Sequence, residues 1–297
     1  ASLILSPLSF LSAHDESILP PIPWLWRFRA LGTGVYGAIL RAGKRSARGL
    51  AKPISDFRRT LGLQPVADPL FDDKHAPDLV LAMFSRLLGE PRPDWPAQTV
   101  VTGFAFYDGP DSVLAPEIAA FLDAGAAPIV FTLGSAAVFD PGVFFKESVS
   151  AAAAIGRRAI LLVGPFVDQL RISARNVGVF DYVPFSQLFP QADVIVHQGG
   201  SGTTGQAMRA GRPMLIVPYA HDQPDNAFRI RKLGISETIG RRKYTAERVA
   251  SALKKLTTDP EIRARAAQVG SIVSHEDGAH VAADAIERSF GSCERPR

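Results

Sequence analysis

From residue 111 onward, short β-branched or apolar runs alternate with Ala-rich stretches of helical character, and this alternation restricts the fold more than any other property of the chain. The runs are PIVFTL (128–133), AILLV (159–163), VGVFDYV (177–183), DVIVH (193–197) and PMLIVP (213–218). Helices are expected near 142–155, 202–210, 223–233, 245–257, 259–272 and 278–289. Strand followed by helix at this spacing makes a parallel sheet with helices on both faces. The runs are continuously apolar rather than alternating, as suits strands covered on both sides. The expectation is an α/β doubly wound domain, whose ligands would sit beyond the carboxyl ends of its strands.

The front of the chain reads differently. Pro20, Pro21 and Pro23 break it early, an aromatic-rich basic helix follows, and Pro91, Pro93 and Pro96 form a second cluster of breakers. With 297 residues, two domains are expected, 1–110 and 111–297. A hydrophobic share of 46% and a charged share of 21% are those of a globular protein and not a disordered one. The net charge of +4 is small, yet Arg41, Lys44, Arg45, Arg48, Lys52, Arg58 and Arg59 crowd one segment. The plain reading is a solvated helix face, and the sharper one is peripheral contact with anionic lipid. No aromatic–basic interleaving accompanies the cluster, so nucleic acid is not expected as a partner. The one cysteine, Cys293, cannot form an internal disulfide, which fits a reducing cytoplasm. No apolar run reaches the ~18 residues of a membrane span, and no signal peptide is evident.

Four loops that follow strands carry the chemistry. In DVIVHQGGSGTTGQAMRAG, a strand ending at His197 passes through Gly199, Gly200, Ser201, Gly202, Thr203 and Thr204 directly into a helix. Glycines permit close backbone approach, and the helix start offers unpaired N–H groups at the positive dipole end, a combination suited to phosphate. In PMLIVPYAHDQPDNAFRIRKLG, Asp222 and Gln223 stand where a loop meets a helix. Asp222 can serve there as an N-cap ahead of Pro224. The same carboxylate–amide pair can also exchange hydrogen bonds with sugar hydroxyls. The loop FTLGSAAVFD places Gly134 and Ser135 where a backbone N–H and a hydroxyl can face a diphosphate. The loop FDYVPFSQLFP places Tyr182 and Val183 where a ring can stack on a base, although a core aromatic is an equal reading for Tyr182.

The combination YVP…HQGGSGTT…P-Y-x-x-DQ-x-x-NA resembles the donor signature of GT-B glycosyltransferases, the group that includes bacterial macrolide and plant UDP-dependent enzymes. The match is tight over about 181–234 and follows element order over 111–297. The resemblance implies a complete C-terminal Rossmann-like domain and the later part of an N-terminal Rossmann-like one. It implies that His197 and Gly199–Thr203 hold the diphosphate, with Ser135 opposite, Tyr182 and Val183 at the base, and Asp222 with Gln223 at the sugar. It also implies that the last helix packs back toward the N-terminal domain. The expected reaction moves a hexose from a nucleoside-diphosphate sugar to an acceptor hydroxyl, inverting and metal-independent, with a UDP-sugar ahead of a dTDP-sugar. The nucleotide sugar is a co-substrate, and no cofactor is expected. The aromatics around Trp24, Trp26 and Phe28 suggest a hydrophobic or lipid acceptor, though buried packing would explain them too.

Several positions depart from the family pattern. Tyr182 stands for a usual Trp, Phe185 for a Gln, and Gly205–Gln206 occupy the place of a ribose-gripping Glu. The glycine-rich loop and His base of the family's N-terminal domain have no match. His14 and Asp15 lie in the acceptor loop and are not read as that base. The expectation is a chain that begins within a domain, completed by an N-terminal segment or a partner polypeptide, or a donor-binding half inactive without it. From a different reaction class, Gly200, Gly202 and Gly205 with Asp222 or Asp225 also satisfy a dinucleotide fingerprint, so an NAD(P)-dependent oxidoreductase is the alternative. Scattered histidines, including His275 and His280, form no metal pattern.

Overall fold

The computed structural model describes residues 1–19, 22–109, 113–134, 137–167 and 176–291. It divides into two compact units, Ala1–Ala105 with Asp277–Arg297, and Phe106–Glu276. The sequence partition at 110/111 therefore lies five residues from this boundary, while the last helix, assigned above to 111–297, groups with the first unit.

The second unit contains a six-stranded sheet of β4 (Ile129–Thr132), β5 (Ala159–Leu162), β6 (Val177–Phe180), β7 (Val194–His197), β8 (Met214–Ile216) and β9 (Ser236–Thr238). All pairs are parallel, in the order β6-β5-β4-β7-β8-β9. The order reverses between β4 and β7, which makes the crevice at their carboxyl ends the topological switch point. Helices α3 (Pro116–Asp123), α4 (Phe144–Ala154), α5 (Phe185–Leu188), α6 (Ser201–Arg209), α7 (Gln223–Lys232), α8 (Ala246–Thr258) and α9 (Pro260–Val273) intervene. One face of the sheet presents Phe131, Leu161, Val196 and Leu215 to Phe144, Ala151, Val249 and Leu253 of α4 and α8. The alternate residues Val130, Ile160, Ile195 and Met214 are equally buried, which accounts for the continuous apolar runs. Helices α6 and α9 meet closely, because a Cβ on Gly270 would lie 2.5 Å from the Gly211 Cα. The start of α9 is fixed by Asp259, whose Oδ1 accepts the N–H of Glu261 and of Ile262 at 2.9 and 3.2 Å.

The first unit holds a smaller parallel sheet of β1 (Ser2–Ile4), β2 (Val80–Ala82) and β3 (Thr99–Val101), in that order. Leu79 and Leu81 pack against Ala282 and Ala285 of α10 (Gly278–Phe290). A Cβ on Gly278 would stand 2.4 Å from the Gly103 carbonyl, so only glycine lets α10 start there. Phe10 stacks on Trp95 with ring centroids 3.9 Å apart. The basic segment folds as α1 (Thr33–Ala47), a 3-10 turn at Arg48–Ala51, and α2 (Lys52–Thr60). No helix among the described residues is long and apolar enough to cross a membrane.

Candidate functional site

Because all six strands run the same way, the loops after β4, β6, β7 and β8 emerge on one edge of the sheet. That edge gathers Gly134, Tyr182, Val183, His197, the glycine turn, Asp222 and Gln223, as the sequence reading placed them. Ser135 lies outside the described residues.

His197 is the last residue of β7 and is fully buried. The Gly199 N–H donates to its Nδ1 at 3.1 Å. An imidazole that accepts at Nδ1 carries its proton on Nε2. This Nε2 is buried and has no hydrogen-bond partner among the described residues. Burial lowers the ring's pKa from 6.5 to about 3, so it is a neutral donor throughout the physiological range. A buried donor left unpaired normally costs about 1–3 kcal/mol and calls for an explanation. The depressed pKa also has a consequence for stability. Between 6.5 and about 3 the unfolded chain takes up a proton that the folded chain refuses. The stabilisation is therefore complete above pH 6.5 and shrinks on acidification, by at most about 1.4 kcal/mol per pH unit. Chemical denaturation of His197→Asn is expected to show a flatter acid limb than the parent; parallel limbs would contradict a neutral buried His197.

Past His197 the three glycines differ in what they do. Gly199 has φ +89, and a Cβ there would meet Ile216 Cγ2 at 2.8 Å and the Gln223 carbonyl at 3.2 Å. Gly200 caps α6 in an extended conformation, and a Cβ on it would lie 2.9 Å from Gln198 Nε2. Gly202 faces open space. The first helical bond of α6 runs from Thr204 N to Gly200 O at 2.9 Å, so the amides of Ser201, Gly202 and Thr203 precede the ladder. Amides outside the ladder at the positive end of a helix dipole can donate to an anion. Gly202→Ala is expected to leave the thermal midpoint within about 1 °C, since an exposed position with free space changes stability by under about 0.5 kcal/mol; a large drop would mean the glycine is needed for more than room.

The Ser201 hydroxyl is engaged within the loop. Its Oγ donates to Asp222 Oδ2 at 2.8 Å, and Asn226 Nδ2 donates to the same oxygen at 2.9 Å. Asn226 also donates to Gly199 O at 2.9 Å, closing a network that ties the turn to α7. The capping expectation for Asp222 is corrected here: it occupies the N-cap position, but its side chain makes no capping bond. Gln223 Oε1 instead accepts the N–H of Tyr219 and Ala220 at 2.7 and 3.0 Å, which leaves its Nε2 to donate outward. Asp225, the other acid of the dinucleotide fingerprint, is fully buried and bonded to Arg229 Nε at 2.7 Å. Neither acid stands at a strand tip as a ribose-binding acid should.

Next to β4 and β6 lies a cavity of about 340 Å³ lined by Leu133, Val138, Phe139, Pro165, Tyr182 and Val183, among others. Tyr182 is 73% exposed at its rim, which excludes the core-aromatic reading, while Val183 is fully buried. Phe185, where relatives carry Gln, stacks on Phe189 at 4.3 Å. Thr203 is buried.

Two residues escaped the sequence reading. Gln198 is buried, and its Oε1 has no partner among the described residues. Its amide nitrogen fills the place that a Cβ on Gly134 would take, 2.1 Å away, so the side chain bridges the β4 loop and the turn. Asp108 pairs with Arg209 Nη1 and Nη2 at 2.9 and 2.7 Å. Its carboxyl is held below the usual range chiefly by Arg209, with further hydrogen bonds from Ser186 and Gln206. His275 and His280 are spent on the Ser271 carbonyl and on Asp284 at 3.8 Å.

Comparison with known proteins adds a further set of findings. Residues 164–287 match the family model described as Erythromycin biosynthesis protein CIII-like, C-terminal domain. O-mycaminosyltylonolide 6-deoxyallosyltransferase of Streptomyces fradiae is 32% identical over 306 residues, covering 95% of this chain and 71% of that protein. Glycosyltransferase GtfE of Amycolatopsis orientalis is 33% identical over 271 residues, covering 89% of this chain and 63% of that protein. Among solved structures, the glycotransferase of kitacinnamycin superposes with a TM-score of 0.68 at 26% identity, over 86% of this chain and 65% of that one. The chain thus spans roughly two thirds of the length of the relatives it matches.

Proposed function

The chain belongs to the GT-B glycosyltransferase family, and from that premise we propose that it transfers a hexose from a nucleoside-diphosphate sugar to an acceptor hydroxyl with inversion at the anomeric carbon. The observation that carries the reading is the buried, unpartnered Nε2 of His197 beside the free amides of α6. In this proposal those donors receive the diphosphate and stabilise the charge that develops on it as the glycosidic bond breaks. They do so without a metal, through preorganised N–H groups. Tyr182 stacks on the base at the rim of the adjoining cavity, Asp222 through its remaining oxygen and Gln223 through Nε2 orient the sugar, and Gly134 with Ser135 closes the diphosphate from the β4 side. Gln206, standing where relatives carry a ribose-gripping Glu, meets the ribose, so a UDP-sugar stands ahead of a dTDP-sugar. The base that deprotonates the acceptor is not assigned to a residue of this chain. The proposed acceptor is hydrophobic, in keeping with relatives named as sterol 3-beta-glucosyltransferases, one of them 29% identical.

Calorimetry with UDP, dTDP and NAD⁺ tests the reading. Either diphosphate is expected to bind and to compete with the other, with UDP the tighter; binding of NAD⁺ in preference to both would overturn it. A second expectation concerns the sugar. Asp222→Ala removes an oxygen proposed to meet the hexose, and hydrogen bonds to charged groups contribute about 1.5–3 kcal/mol. Affinity for the sugar nucleotide should fall about tenfold or more, and affinity for the bare nucleotide by less, through the loss of the Ser201 and Asn226 bonds to Asp222. Equal losses would take Asp222 out of the sugar contact.

A further inference from the structure

Helix α2 wears its side chains inside out. Ala51 is buried and Ser55 and Asp56 are half-buried, whereas Leu50, Ile54, Phe57 and Leu61 are 73%, 40%, 64% and 57% exposed. Their spacing of four, three and four residues lines them along one stripe of the turn and helix. Apolar groups scattered over a surface need no explanation, but an aligned row on a strongly amphipathic helix does. The same segment, 41–60, carries the seven cations of the sequence cluster against a single acid, Asp56. Asp56 is already shared by Lys52 at 2.6 Å and Arg59 at 3.2 Å. Lys44 pairs with Asp72, and Arg58 donates to the Gln64 carbonyl. Arg45 and Arg48 are exposed and make no ion pair among the described residues. A solvated face would carry the cations without the apolar row, and an ordinary packed helix would turn that row inward.

We propose that α2 and the 3-10 turn before it form a docking surface for an anionic lipid bilayer. Leu50, Ile54, Phe57 and Leu61 enter the boundary between headgroups and acyl chains, and Arg45, Arg48 and Lys52 meet the phosphates of the headgroups. A helix with an apolar face and a Lys/Arg-rich polar face lies in the plane of such an interface, about 5–10 Å deep. The excess of positive charge selects an anionic surface over a neutral one. This inference stands on the first unit and is independent of the donor reading.

Vesicle sedimentation of the full chain tests it, using phosphatidylcholine with and without phosphatidylglycerol. Binding is expected to the anionic vesicles only, and to weaken as salt rises. Phe57→Ser combined with Leu61→Ser should lower partitioning about tenfold or more, as the loss of two buried apolar side chains implies. Arg45→Glu combined with Arg48→Glu should lower it by a similar factor through charge alone. All four side chains are exposed, so the thermal midpoint and nucleotide affinity should not change. Equal binding to both vesicle types, no binding, or no response to either pair would overturn the proposal. So would a dimer seen by light scattering that the Phe57 and Leu61 substitutions abolish.

Discussion

His197→Asn is expected to lower donor turnover about 10²–10³-fold, the loss associated with removing one preorganised donor from a developing anion. Asparagine retains a short side-chain acceptor for the Gly199 N–H, now at 3.1 Å from Nδ1, and deletes the buried Nε2 that has no partner among the described residues. The loss should therefore fall on the diphosphate and not on the fold. Affinity for UDP should drop with turnover, while affinity for uridine stays near that of the parent. His197→Gln, which carries an amide N–H farther out, should recover part of the activity. His197→Ala should share the loss of turnover while the chain still folds. Full activity in either the Asn or the Ala variant would contradict the role given to the imidazole.

Gly199→Ala is expected to be strongly disruptive for a single added methyl. The residue sits at φ +89, where a side chain adds strain of about 1–3 kcal/mol. Its Cβ would press on Ile216, a fully buried residue of β8, and overpacking of that kind adds about 1–3 kcal/mol more. The turn can relieve the contact only by breaking the Gly199 N–H bond to His197 or the Asn226 bond to Gly199 O. A fall of about 5–15 °C in the thermal midpoint follows, with loss of nucleotide binding. Gly202→Ala, three residues along and facing open space, is the control. Similar behaviour of the two variants would mean that the turn tolerates what its geometry forbids.

That pair of glycines shows what could be read from residues alone. In the sequence, Gly199, Gly200 and Gly202 look alike, since each permits a turn and close approach. The φ of +89 at Gly199 and the position of Ile216 in the neighbouring strand separate the one that cannot change from the one that can. The parallel sheet of the second unit was legible because its strands are buried on both faces and so appear as unbroken apolar runs. The strand β9 was not, because Ser236–Thr238 is a short polar sequence at the sheet edge. The same is true of β2 and β3, three residues each, which carry no period long enough to see. The six helices expected after residue 140 were read to within about two residues, whereas the short α3 and α5 were not expected at all. At the site, motif spacing brought His197, the turn and Asp222 together, since each follows a strand of one sheet. It gave no sign of Gln198 or Asp108, whose meaning lies in what they touch across the fold: the β4 loop at Gly134, and Arg209 about a hundred residues away. Nor could it show that Ser201 would spend its hydroxyl on Asp222.

The central claim is that the unpartnered imidazole nitrogen and the first amides of α6 receive a diphosphate. A crystal structure with UDP bound tests it most directly. The account predicts phosphate oxygens within about 3 Å of His197 Nε2 and of at least two of the amides of Ser201, Gly202 and Thr203. A nucleotide ordered elsewhere, with Nε2 still unpartnered and the turn holding only water, would contradict it.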